Sequence, residues 1–124
     1  MRNVLLVAAG GAIGSVLRWA LSGAVQRVTG SAFPWGTFVV NALGSFAIGV
    51  LGALALERAL VSPAARLFLI AGCLGGFTTF SAFSWESVAL LRDGQWAQAA
   101  FYAFGSLAVG IGGAFAGLAL AARL

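Results

Sequence analysis

The chain is 124 residues long, 61% hydrophobic and only 8% charged, with a formal net charge of +4. A soluble domain carries about a quarter charged residues, so there is too little polar surface here to clothe a water-soluble globule, and the chain reads as an integral membrane protein. Histidine is absent, Cys73 is the sole cysteine, and the acids are Glu57, Glu86 and Asp93. That inventory excludes an intrachain disulfide, a His/Cys zinc site, paired-carboxylate catalysis and a Ser-His-Asp triad, so no enzyme chemistry is expected. Every basic residue is an arginine, most of them at the ends of apolar stretches. Arginines so placed set membrane orientation and meet lipid headgroups, and they do not indicate a nucleic-acid partner.

A helix needs roughly 20 apolar residues to cross the hydrocarbon. Four stretches qualify, at about 4–25, 36–56, 66–91 and 96–121. The first follows Met1-Arg2 and resembles a signal peptide, but equally apolar sequence comes after it, so it is expected to be retained as a span. Connectors fall at 27–34 (with Gly30 and Pro34), at 57–63, and at Arg92-Asp93-Gly94. Pro63 suits the first turn of a helix. The whole chain is thus expected to form one all-α, four-span membrane domain. The side holding both termini has Arg2, Arg58, Arg66 and Arg123, against Arg27 and Arg92 opposite, with Arg18 joining them if that end of the first span is shallow. So weak a bias permits insertion both ways up, and with it an antiparallel homodimer. Gly10-xxx-Gly14 and Gly113-xxx-Gly117 are small-residue pairs that let helices approach closely in lipid.

Polar residues inside the spans form faces. Thr37, Asn41, Ser45 and Gly49 recur every four residues in the second span, and so share one side of a helix. The Asn41 amide is costly against hydrocarbon; it either glues the bundle through an interhelical hydrogen bond or serves as a donor along a path. Tyr102, Ser106 and Gly110 repeat the spacing in the fourth span. Between them lies the stretch GGFTTFSAFS, residues 75–84. Phe80 and Phe83 lie three apart and point the same way, with Ser84 and Ser87 nearby; they either pack or present electropositive ring edges to an anion. Gly75 and Gly76 weaken a helix by about 1 kcal/mol each, and Thr78 and Thr79 compete for backbone carbonyls. A break in the third span is therefore predicted. The carbonyls it frees need protein donors, water or a hard cation such as sodium. Glu86 and Arg18 are the charges that fall within spans, where they either serve function or reach for an interface.

Three stretches carry a resemblance: GAIGSVLRW at 11–19, GTFVVNALGSF at 36–46, and GGFTTFSAFS at 75–84. In order and spacing, across essentially the whole chain, they resemble the signature stretches of the Fluc (CrcB-type) fluoride ion channels. The resemblance implies a dual-topology antiparallel homodimer in the bacterial cytoplasmic membrane, with two fluoride pores and a structural sodium ion at the dimer centre. It implies that Asn41 is the pore amide and that Phe80 and Phe83 line the ion path. Thr79 would be a pore-side hydroxyl, and Tyr102 and Ser106 would form the polar track of the fourth span. Gly75 and Thr78 would bind sodium through their backbone carbonyls. Ala82 stands where many members have threonine, on another helix face, so little effect is expected.

The main rival is a small proton-coupled multidrug exporter, also four spans long. That mechanism wants a carboxylate in the first span, and residues 4–25 contain none. A non-conducting packing subunit would explain the glycines but leaves Asn41 and the broken span without purpose.

Overall fold

The computed structural model describes residues 1–124, and its regular structure is entirely helical. Helix α1 (Arg2–Thr29) is followed by α2 (Trp35–Leu56). The third span comes in pieces: α3 (Pro63–Arg66), a π-helical stretch Leu67–Leu74, α4 (Gly75–Phe77) and, beyond a break, α5 (Phe80–Arg92); α6 (Trp96–Ala121) completes the chain. The four spans of 28, 22, 30 and 26 residues are all apolar enough to cross a membrane. The shortest reaches roughly 33 Å at 1.5 Å per residue, enough for a hydrocarbon core of about 30 Å. This is a multi-pass membrane protein of four transmembrane helices with a break in the third. The first and third helices run a few residues past their apolar cores at both ends.

Local chemistry sets the boundaries. α1 ends where Gly30 takes the left-handed conformation (φ 57°, ψ 17°) and returns its N–H to the Gln26 carbonyl, a common helix stop. Pro34 provides α2 with no side-chain cap, and Gln26 substitutes from α1. Its Oε1 accepts the Gly36 N–H at 3.1 Å, while Nε2 donates to the carbonyls of Ser31 at 2.6 Å and Phe33 at 3.0 Å. Ser62 caps α3 by accepting the Ala65 N–H at 3.2 Å, with Pro63 in the first turn as expected. Arg58 Nη2 donates to the Ala122 carbonyl at 3.1 Å and ties the loop after α2 to the end of α6.

α2 lies between α1 and α6, and the upstream half of the third span runs along α1. Only 15 of 124 residues are buried, so the bundle is not organised around an apolar core. Lipid tails are as apolar as leucine, and close backbone approach holds such helices together instead. Methyl groups on Gly10 or Gly14 would run into the carbonyls of Phe68 or Cys73; one on Gly117 would meet the Phe46 carbonyl. One end does enclose a cluster, in which Phe33, Leu90, Ala99 and Tyr102 are buried beneath Trp35, Phe38 and Phe83. The Phe33 ring meets Tyr102 edge-on, with centroids 5.4 Å apart.

Candidate functional site

The predicted break exists, but the glycines do not make it. Gly75 is helical (φ −60°, ψ −37°), and Gly76 serves close approach instead, facing the Gly11 carbonyl and Ser15 of α1. The chain leaves the helix at Thr78 (φ −83°, ψ 156°) and Thr79 (φ −149°, ψ 122°). Both threonines act through their hydroxyls. Thr78 Oγ1 donates to the Leu74 carbonyl at 3.0 Å and closes the upstream segment. Thr79 Oγ1 accepts the Ala82 N–H at 3.2 Å and N-caps α5, the favoured use of a threonine at that position.

Backbone groups exposed by a break in lipid need partners, and two other helices supply them. Asn41 of α2 pairs with the Thr79 peptide on both sides: Nδ2 donates to the Thr79 carbonyl at 2.9 Å, and Oδ1 accepts the Thr79 N–H at 2.8 Å. One amide N–H of Asn41 stays unspent, since the side chain has two. Arg18 of α1 donates from Nε to the Gly76 carbonyl at 2.9 Å. The carbonyls of Gly75 and Thr78 are left differently. Their helical donors, the N–H groups of Thr79 and Ala82, are turned toward Asn41 and the Thr79 hydroxyl.

A groove of about 710 Å³ opens beside the break, lined by Asn41, Ser45, Gly75, Thr78, Thr79, Phe80, Phe83 and Ser106 among others. The residues expected to act together therefore converge there, Tyr102 excepted. The Phe80 and Phe83 rings lie 5.7 Å apart at 39°, and Phe80 is 78% exposed on the single chain. Ser84 and Ser87 bond the carbonyls of Phe80 and Phe83 at 2.9 and 2.7 Å, the usual fate of serine in a membrane helix. Ser106 does not: its Oγ is buried and has no partner.

Tyr102 lies behind the groove, fully buried, with its ring 5.1 Å from that of Phe83. Its hydroxyl donates to Glu86 Oε2 at 2.8 Å, and the Thr37 hydroxyl donates to Oε1 at 2.7 Å. Two donors from two helices thus hold the one carboxylate inside a span. Sequence reading singled out all three residues without joining them. Depth was the available signal: Glu86 lies six residues before the end of α5, Tyr102 six after the start of α6, and Thr37 two after the start of α2. At 1.5 Å per residue they share a level within roughly 6 Å.

Residues 5–118 match the family described as CrcB-like protein, Camphor Resistance (CrcB). The chain belongs to the CrcB-like family. It is 55% identical over 124 residues to a fluoride-specific ion channel FluC of Thermus thermophilus, covering 100% of this chain and 98% of the relative. It is 51% identical over 124 residues to the protein of that name from Agrobacterium fabrum, covering 100% and 99%. To the one from Geobacter sulfurreducens it is 44% identical over 124 residues, covering both chains completely. What this CrcB-like chain brings to its groove is a set of uncharged donors, an amide and a hydroxyl, next to two aromatic rings, with its in-span carboxylate tied away by other hydroxyls.

Proposed function

We propose that this protein is a fluoride-specific ion channel that lets fluoride leave the bacterial cytoplasm passively across the inner membrane, relieving fluoride toxicity. It does no covalent chemistry. The observation that carries this reading is the buried Ser106 hydroxyl, partnerless on a groove shared with Asn41, Phe80 and Phe83, in a chain similar along its full length to channels of that name. Fluoride is small and strongly hydrated, and leaving water is costly unless other donors take over. Neutral donors and ring edges replace hydration without a fixed positive charge that would hold the ion, and conduction requires binding weak enough for release. The Thr79 hydroxyl accepts a backbone N–H, and its own proton adds another donor at the same wall.

The groove is open on a single chain, with polar atoms and the Phe80 ring uncovered. Polar groups facing hydrocarbon are costly, so a second, antiparallel copy closing this face gives a dual-topology homodimer with two pores. The near balance of arginines between the two ends favours insertion both ways. A structural sodium ion at the dimer centre fits the Gly75 and Thr78 carbonyls, which have lost their helical donors and accept from no side chain. Bound there, the cation would satisfy those carbonyls and fasten the two copies. The exporter reading finds no support: α1 has no acid, and Glu86 is engaged at both oxygens.

The test is passive efflux from liposomes holding the purified protein, followed with a fluoride electrode. Fluoride should leave without a proton gradient or nucleotide, and chloride hardly at all. Equal release of the two halides refutes the selectivity claim.

A further inference from the structure

We infer that Arg18 is a positioning residue for this groove: its guanidinium holds the Gly76 carbonyl and fixes where the third span leaves the helix. The flux arm of this inference rests on the channel reading; its structural arms do not.

Gly76 would ordinarily accept from the Phe80 N–H, four residues on. Two extended residues intervene and carry Phe80 into the next helix. The Gly76 carbonyl is therefore orphaned by the break, and an unsatisfied carbonyl at this depth is costly. Arg18 reaches it from 58 residues away, at 2.9 Å, through Nε. The packing of α1 explains how. Gly14 sits against Cys73 and Phe77, and Gly11 and Ser15 against Gly76, with no room for a side chain between the backbones. Arg18 is one turn beyond Gly14 on the same face, at the level where the helix stops. A guanidinium inside a span is itself costly, and the one carboxylate inside a span, Glu86, is bonded to Thr37 and Tyr102. The partner of Arg18 is a backbone oxygen. Arg18 fixes a carbonyl of the last helical turn before the break and Asn41 fixes the Thr79 residue within it. Between them they determine the direction in which Phe80 and Phe83 enter the groove. Lysine does not replace arginine here, since its only donors lie at the tip of a flexible stem, whereas Nε–H belongs to a rigid fork.

Three measurements test this. In liposomes, R18K and R18Q should both lower fluoride efflux roughly tenfold or more, the effect of losing one hydrogen bond to a charged donor. In lipid nanodiscs, hydrogen exchange in residues 75–84 should rise in R18K while residues 33–38 stay protected. In the unaltered protein, solid-state NMR on arginine-15N, glycine-13C′ samples in lipid should show a dipolar coupling between Arg18 Nε and Gly76 C′. R18K efflux at the wild-type rate would mean that charge alone matters and would overturn the inference. So would unchanged exchange in 75–84, or an absent coupling. If the unaltered protein passes no fluoride, the channel reading fails, and exchange and coupling still decide the role of Arg18.

Discussion

Asn41 and Thr79 are paired as two strands of backbone would be, with the amide of one donating to and accepting from the peptide of the other at 2.9 and 2.8 Å. A single side chain thereby engages both polar groups of the residue at the break. N41D keeps the acceptor for the Thr79 N–H, loses the donor to its carbonyl and adds a negative charge to the groove. Efflux should fall roughly tenfold or more, given the lost hydrogen bond and a like charge in the path of an anion. Wild-type efflux in liposomes would remove Asn41 from the path.

Ser106 gives a cleaner separation of stability from function. Its hydroxyl bonds nothing in the protein, so S106A removes no native hydrogen bond, and the melting temperature in detergent should stay within about 2 °C of wild type. Fluoride efflux should nevertheless drop several-fold. Equal loss of both, or of neither, would make Ser106 a packing residue.

Tyr102 should behave in the opposite way. Y102F keeps the ring against Phe33 and Phe83 but strips one donor from Glu86, and should destabilise the fold by about 1–3 kcal/mol. E86Q should cost a similar amount, and the double variant less than the sum, by about 1 kcal/mol. Strict additivity in thermal or denaturant unfolding would break the proposed clamp.

The rings are tested by F80I and F83I. Both should lower efflux, and F83I alone should also lower stability, because only Phe83 packs against Tyr102. Unimpaired efflux in both variants would leave the rings as packing.

Much of this was legible in the sequence, for identifiable reasons. Span positions follow from hydropathy and a bilayer of fixed thickness, and Gly10 and Gly14 from what tight helix contacts require. The break was legible in GGFTTF, and of the four residues that signalled it the threonines make it. Glycine is permissive, not disruptive: Gly76 lets α1 pack closely, and Gly75 keeps helical angles beside the groove; the threonines act because their hydroxyls can end one helix and start another. Partners lying 38 to 58 residues apart, such as Asn41 with Thr79 or Arg18 with Gly76, left no mark in local pattern. Nor did the π-helical stretch, which packs along α1. Tyr102 shares its spacing with Ser106 but points elsewhere, since spacing gives a face and not the neighbour that face meets.

The π-helical winding of Leu67–Leu74 has a consequence for genetics and protein engineering. This oily segment reads as interchangeable filler, yet it holds slack. A π turn spends about one residue more than an α turn, so one deletion here is taken up by rewinding to α, with Thr79 still facing Asn41. We expect single-codon deletions there to spare fluoride resistance in a complementation screen, while single-codon deletions in α5, which has no such slack, abolish it.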